Sequence, residues 1–220
     1  MQTTIARDIV LIDAGGANLG SVRYALERLG IAPRIVRDGA QHDGAERILL
    51  PGVGAAGHGM ACLHAQNFIA PLRASRVPLL GICLGMQLLY ESSEEDGVDC
   101  LGLLPGRVRQ MRDAPGIRVP HMGWNTLSLR RDCALVDGIV DGAHAYFVHG
   151  YAAPVDDATV ATSAHGDAFA AIMQRGHCHG VQFHPERSAA AGLRILANFV
   201  GVDVPVASVA PTASVETVRA

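Results

Sequence analysis

Cys83 lies at the centre of residues 81–85 (GICLG), between two apolar runs. The preceding run predicts a buried strand, and the following run has the spacing of an apolar helix. Glycines on both sides of the cysteine allow a sharp turn that would hold the thiol above the end of a sheet. Backbone N–H groups at a helix start favour the thiolate. The segment therefore indicates a cysteine nucleophile, while a buried structural cysteine also fits so short a pattern.

His184 is the histidine best placed to serve that nucleophile, which needs a base and a group to orient the base. It ends the strand-like run 180–183 (GVQF) and is followed by Pro185 and Glu186. Proline disfavours helical backbone in the residue before it, and in extended chain residues i and i+2 face the same side. We therefore predict that His184 and Glu186 face one site, with a surface loop as the alternative.

The composition excludes several classes of protein. The chain has 220 residues, of which 49% are hydrophobic and 18% charged, with a net charge of −3, so nothing indicates nucleic acid or an anionic membrane as partner. No apolar run reaches the roughly 18–20 residues of a membrane span. The five cysteines are scattered without a C-x-x-C pair, which indicates neither disulfides nor a zinc site and favours a cytoplasmic location.

The order of apolar runs predicts an α/β fold. Runs at 8–13, 33–36 and 47–50 predict strands that alternate with helical segments, the first from Asn18 to Gly30, as in a parallel sheet. Both Cys83 and residues 51–54 (PGVG) follow strands, so both should open on the same sheet edge. Later strands are predicted at 107–111, 117–119, 126–129, 145–149, 158–163, 168–173 and 178–183, before a helix at 188–200. We expect one domain over 1–202 and a mobile tail over 203–220.

Two motifs taken together resemble those of class I, triad-type glutamine amidotransferases: GICLGMQLL around Cys83 and GVQFHPE around His184. Four further segments resemble the glutaminase subunits of imidazole glycerol phosphate synthase, namely 18–22 (NLGSV), 50–54 (LPGVG), 119–125 (VPHMGWN) and 146–151 (YFVHGY). The resemblance covers roughly residues 8–200. It implies a three-layer fold with a mostly parallel central sheet, flanking helices and an antiparallel or mixed extension in the second half.

The resemblance also implies roles for individual residues. Cys83 would attack the side-chain amide of glutamine, release ammonia and leave a thioester for water to hydrolyse, with His184 moving protons and Glu186 orienting it. The oxyanion hole would use backbone N–H groups of Leu84 and of the Gly52–Val53 loop. The substrate-binding positions correspond to Gln87, Gly150 and Tyr151.

The same resemblance implies a partner and no cofactor. Ammonia would pass to a (β/α)8-barrel cyclase subunit, in a heterodimer that makes imidazole glycerol phosphate and AICAR in histidine biosynthesis. Asn18, Trp124 and Arg187 match positions at or near the docking face, and glutaminase activity is expected to be low without the partner. Gly150 stands where the family often has a hydroxyl residue, and Ala14 where it commonly has an aromatic one.

The sequence alone leaves three other hypotheses about the function open. A paralogous glutaminase could supply ammonia to another synthase, for instance in sugar amidation. A regulatory subunit could keep the fold without catalysis. An unpartnered hydrolase such as a peptidase could use the same nucleophile, although GVQFHPE and HMGWN fit amidotransfer better.

Overall fold

The computed structural model describes residues 8–15 and 18–204, so most of the predicted tail lies outside the described residues. Over these ranges the strands are β1 (Ile9–Ile12), β2 (Arg34–Val36), β3 (Arg47–Gly52), β4 (Leu79–Cys83), β5 (Ser92–Ser93), β6 (Arg107–Gln110), β7 (His121–Thr126), β8 (Ser128–Leu129), β9 (His144–His149), β10 (Tyr151–Ala152), β11 (Thr159–His165), β12 (Asp167–Arg175) and β13 (Cys178–Val181). The α-helices are α1 (Leu19–Glu27), α2 (Ala56–Ala65), α3 (Ile69–Ala74), α4 (Leu84–Gln87) and α5 (Ala189–Val200).

An eight-stranded mixed sheet forms the centre of the molecule, in the order β2-β1-β3-β4-β13-β12-β11-β8. The first five strands in that order are parallel, and β12, β11 and β8 extend the sheet in antiparallel fashion. The predicted fold class is therefore confirmed. The position of β13 is the notable feature, because this late strand pairs with β4 and brings the second half of the chain beside Cys83.

Apolar side chains cover both faces of this sheet. Along β1, Ile9 and Leu11 join one buried cluster while Val10 and Ile12 join the other, as expected for a strand buried on both sides. Helices α1 and α5 cover the face that carries Ile9 and Leu11, and helices α2 and α3 cover the face that carries Val10 and Ile12. The longest helix, α5, has 12 residues, and no helix in the described ranges is long and apolar enough to cross a membrane.

The segment before β9 differs from the prediction. No strand forms at 117–119, where one isolated bridge joins Ala114 to Ile117. The strand lies instead at β7, which pairs antiparallel with β9. No strand is predicted over 120–125, where Pro120 and Gly123 locally disfavour a strand. Pairing with β9 overrides that local preference, because it supplies hydrogen bonds along the whole of β7.

Backbone contacts around the β4–α4 turn leave no room for side chains at its glycines. A Cβ atom on Gly85 would lie 1.8 Å from the carbonyl oxygen of Leu50, and one on Gly81 would lie 2.6 Å from the carbonyl oxygen of Gly85. A Cβ on Gly52 would lie 2.7 Å from the backbone nitrogen of Gly85. Gly52 and Gly85 are therefore required by the close approach of β3 to α4, and Gly81 by the close approach of β4 to α4, since the nearest atom in each case is backbone.

Replacement of Gly85 should test this contact. Gly85→Ala is expected to lower the free energy of unfolding by about 3 kcal/mol or more, because the β3 backbone must move away from the turn. The matched control is Gly20→Ala in exposed helix α1, where a Cβ would meet nothing within 4 Å. The control should stay within about 1 kcal/mol of wild type in urea unfolding. Equal stability of the two variants would contradict the close-packed turn.

Candidate active site

Cys83 is the last residue of β4 and has a strained backbone, with φ 54° and ψ −114°. Non-glycine residues rarely adopt positive φ, and they keep it only where the surroundings enforce it. Here β3 pairs on one side, with Gly52 opposite Cys83, and β13 pairs on the other, with Val181 opposite Ile82. The helix that follows has only four residues, and the Cys83 side chain makes no capping hydrogen bond to its first N–H groups.

His184 and Glu186 meet as predicted, although not for the predicted reason. Nδ1 of His184 lies 2.9 Å from Oε1 of Glu186, whose side chain has no exposed area. Glu186 lies in a 3-10 turn, Pro185–Arg187, and not in extended chain, so the turn brings the carboxylate to the ring. The backbone N–H of His184 donates to the carbonyl oxygen of Tyr146 at 2.9 Å, which ties this segment to β9.

The surroundings of His184 favour its protonated form. Burial lowers the pKa of this imidazole, but hydrogen bonds with Cys83 and Glu186 outweigh burial and raise the pKa to about 10. One ring N–H donates to the Glu186 carboxylate and the other side of the ring faces the sulfur. The arrangement can therefore supply a proton to a leaving group and recover it from a water molecule.

A cavity of about 160 Å³ opens beside the sulfur. This volume suits a small metabolite better than a larger ligand. It brings together most of the predicted catalytic, oxyanion and substrate residues, while Gly52 lies next to it as the register partner of Cys83. Its lining consists of Val53, Gly54, Cys83, Leu84, Gln87, Glu95, Val148, His149, Gly150, Tyr151 and His184.

The family model described as "Glutamine amidotransferase class-I" matches residues 10–202, nearly the whole described chain. The chain belongs to the class-I glutamine amidotransferase family. The elbow cysteine, the His–Glu pair and the cavity between them thus lie in an amidotransferase domain.

Relatives with high sequence identity to this chain share one name. The chain is 63% identical over 198 residues to "Imidazole glycerol phosphate synthase subunit HisH" of Xanthomonas oryzae pv. oryzae (strain MAFF 311018), covering 90% of this chain and 99% of that protein. It is 59% identical over 196 residues to the protein of the same name from Xylella fastidiosa (strain Temecula1 / ATCC 700964). That match covers 89% of this chain and 98% of the Xylella protein.

Solved structures agree with the fold. A putative GMP synthase protein from Thermoplasma acidophilum has a TM-score of 0.70 at 21% identity and covers 90% of this chain and 94% of its own. The structure of PurLQS from Thermotoga maritima has a TM-score of 0.66 at 22% identity. The match covers 90% of this chain and 98% of the chain in that structure. At these identities the likeness concerns the fold alone.

Two residues of this amidotransferase site were missed by sequence reasoning. Glu95 lies in the cavity wall and accepts the backbone N–H of Ala56 at 2.8 Å. Burial raises the pKa of Glu95, and that hydrogen bond offsets the effect only in part. Gln182 is fully buried, with Nε2 3.8 Å from Sγ of Cys83. The acidic run SEED looks like a solvated loop, whereas a polar residue inside the buried run GVQF was a usable signal.

Asn18, predicted to lie at the partner interface, contacts the His184–Glu186 pair. Its Nδ2 donates to Oε1 of Glu186 and lies 3.3 Å from Nδ1 of His184. Because that ring nitrogen carries a proton directed at the carboxylate, the hydrogen bond of Asn18 is to Glu186. Asn18 precedes α1 without capping it, so its side chain is available for this contact. Its role toward a partner stays a prediction.

The other two predicted interface residues lie on an exposed patch that we define as Met122, Trp124, Tyr146 and Arg187. Trp124 is 53% exposed and Met122 is 64% exposed. The Trp124 and Tyr146 rings meet edge to face at 5.9 Å, and the Arg187 guanidinium lies 5.2 Å from the Tyr146 ring centroid. Because Arg187 follows Glu186 directly, this patch adjoins the site.

The two departures from the family pattern have different surroundings. A Cβ on Gly150 would meet only ordinary contacts, 3.6 Å from Val119 and 3.9 Å from Pro120, so the loop does not require glycine. Ala14 lines a hollow of about 10 Å³ together with Gly52 and Val53. A small side chain at position 14 thus leaves space beside the predicted oxyanion loop.

Substitution of Asn18 should reveal its action on the catalytic pair. Asn18→Asp is expected to lower kcat for glutamine hydrolysis at least about ten-fold, because a second carboxylate would face Glu186 and compete for the imidazolium. Asn18→Ala, which removes the hydrogen bond without adding charge, is the control and should lose less. The rates are measured as glutamate release. A larger loss in Asn18→Ala than in Asn18→Asp would contradict this role.

Proposed function

We propose that this chain is the glutaminase subunit of an imidazole glycerol phosphate synthase. It hydrolyses glutamine and passes the ammonia to a cyclase subunit of the histidine pathway. The observation that carries the proposal is the joining of Cys83 to the His184–Glu186 pair at one cavity, in a chain 63% identical to proteins named as HisH subunits.

The first half of the reaction forms a thioester. The Cys83 thiolate attacks the side-chain carbonyl carbon of glutamine, and the carbonyl electrons move to oxygen. Backbone N–H groups of Leu84 and of the Gly52–Val53 loop stabilise that oxyanion; loss of one such donor typically costs about 10²–10³ in rate. His184 donates a proton to the amide nitrogen, the C–N bond breaks, and ammonia leaves.

The second half consumes water. His184, now neutral, removes a proton from a water molecule, whose oxygen attacks the thioester carbonyl. The C–S bond breaks, glutamate leaves, and the regenerated thiolate again faces a protonated imidazole. Glu186 keeps the ring oriented through both halves, and the raised pKa of His184 returns it to the imidazolium at the end of each cycle.

Recognition of glutamine uses the rest of the cavity lining. Gln87, Gly150 and Tyr151 border the space beside the sulfur, as the resemblance implies. The carboxylate of Glu95 on the same wall has the charge to pair with the α-ammonium group of the substrate. Because Gly150 has no side chain, only its backbone atoms can serve this part of the site.

The partner in this proposal is a (β/α)8-barrel cyclase subunit that forms a heterodimer with the chain. The patch of Met122, Trp124, Tyr146 and Arg187 supports the proposal, because exposed aromatic and arginine side chains are favoured at interface centres. We further propose a catalytic domain over residues 1–202 and a cytoplasmic location, in keeping with five free cysteines.

The division of labour between the two subunits can be tested with Cys83→Ala. In the complex, this variant should lose glutamine-dependent formation of imidazole glycerol phosphate by more than about 10³-fold, since the nucleophile is gone, and keep turnover with added ammonium salt. Cys62→Ala, at a partly exposed cysteine of α2, should keep both activities. Equal loss of the glutamine- and ammonia-dependent reactions in Cys83→Ala would refute the proposal.

The docking patch is tested by Trp124→Ala. The Kd for the barrel subunit should rise by about 30-fold, the effect of an interface residue worth about 2 kcal/mol, with thermal stability of the free chain unchanged. Val140→Ala is the control, because Val140 is 48% exposed but lies before the start of β9 and is not one of the patch residues. An unchanged Kd in Trp124→Ala, measured by calorimetry, would exclude this face.

A further inference from the structure

Gln182 places a buried amide directly beneath the catalytic sulfur. It follows β13, has no exposed area, and lies with Nε2 3.8 Å from Sγ of Cys83. Its backbone N–H donates to the carbonyl oxygen of Ala171 at 2.9 Å, which fixes the chain at this point. The triad mechanism gives this side chain no task.

The direction of the Gln182 amide is decided by its neighbours. Nε2 of Gln87 lies 2.8 Å from the carbonyl oxygen of Tyr151, and a carbonyl can only accept, so that end of Gln87 must be the nitrogen. The same nitrogen lies 3.0 Å from the Gln182 amide, which must therefore present its oxygen there. The remaining end of Gln182, the NH₂ group, is left to face the sulfur. The two possible amide orientations, often ambiguous in structures, are thus reduced to one.

A second hydrogen bond holds this chain of amides in place. Nδ1 of His149 lies 2.8 Å from the same carbonyl oxygen of Tyr151, so His149 must donate there. Burial lowers the pKa of His149 to about 3, so the ring stays neutral at physiological pH. Its other nitrogen then accepts from His121 at 3.2 Å. The Tyr151 carbonyl is therefore held by two donors, and Gln87 cannot turn without losing both of its acceptors.

A fixed N–H group under the sulfur distinguishes the two protonation states of Cys83. A buried N–H group loses free energy unless it has an acceptor, and an anionic sulfur accepts more strongly than a neutral thiol. The neutral thiol has another place for its proton, since Sγ also lies 3.8 Å from the carbonyl oxygen of Val148. The Gln182 amide thus gains most when the sulfur is charged.

We propose that Gln182 is the hydrogen-bond donor that holds the Cys83 sulfur as a thiolate, and that Gln87 fixes its direction. Gln182 touches a reacting atom and acts on the nucleophile from below, whereas His184 acts on it from the side of the cavity. The proposal rests on the assignment of Cys83 as the nucleophile in the proposed function. It requires neither a particular ammonia acceptor nor a partner.

The test measures alkylation of Cys83 by iodoacetamide in the full chain, followed for the Cys83 peptide by mass spectrometry between pH 5 and 10. In Gln182→Met, the rate at pH 7 should fall about 3- to 10-fold and the midpoint of the pH profile should move upward, as expected from loss of one hydrogen bond of ordinary net strength. In Gln182→Glu, which keeps the size and the bond from Gln87, the fall should be larger because a carboxylate replaces the donor.

Two controls separate this effect from general loosening of the structure. Cys62 and Cys133, both partly exposed, serve as internal references and should react at unchanged rates. Leu72→Ala removes buried apolar volume from α3, at a fully buried position away from the sulfur. It should lower thermal stability and leave the pH profile of Cys83 unchanged.

An unchanged Cys83 profile in folded Gln182→Met and Gln182→Glu would overturn the proposal. Should neither variant fold, wild-type protein with ¹⁵N-labelled glutamine side chains provides the decision. One buried NH₂ signal must shift with the same pH midpoint as alkylation and must not shift in Cys83→Ser; absence of such a signal overturns the proposal as well. Because alkylation needs no glutamine and no partner, its outcome is independent of the turnover assay with Cys83→Ala.

Discussion

The parallel pairing of β4 with β13 is the contact on which the site depends. Cys83 ends β4 and His184 lies just beyond the end of β13, so this pairing alone brings the proposed nucleophile and the proposed base to one edge of the sheet. It also places Gln182 under the sulfur, because Gln182 lies between the last paired residue of β13 and the base. Without β13 in this position, the strained turn at Cys83 would lack one of the two strands that enforce it.

Side-chain hydrogen bonds join the polar groups buried around this contact. Oε1 of the buried Glu186 carboxylate accepts from the His184 ring and the Asn18 amide, while its Oε2 has no hydrogen-bond partner among the described residues. The Gln87 amide donates to the Gln182 amide oxygen and to the Tyr151 carbonyl. A buried polar group is costly when unpaired, so each of these bonds restricts its neighbours to one orientation. The site is consequently ordered before any substrate arrives, which is the condition for electrostatic stabilisation of an oxyanion.

Sequence reasoning succeeded where a local pattern and its chemistry coincide. The glycines around Cys83 predicted a sharp turn between strand and helix, and the pair His184–Glu186 predicted a base with its orienter. It failed where a distant segment supplies the missing interactions. The strand β7 was not among the predicted strands, and it exists because β9 pairs with it. Glu186 reaches His184 through a 3-10 turn that the extended-chain argument did not foresee.

By itself the sequence determined the chemistry: a thiol in a glycine-bounded turn, an imidazole with a carboxylate two residues on, and apolar runs that specify an α/β sheet. These follow from side-chain type and from backbone preferences within a few residues. Only the tertiary structure decided that the Asn18 amide donates a hydrogen bond to Glu186, that Glu95 lines the cavity, and that the Gln182 amide faces the sulfur of Cys83. The reason is physical, since these contacts join residues far apart in the chain, and only sheet order and register bring them within hydrogen-bonding distance.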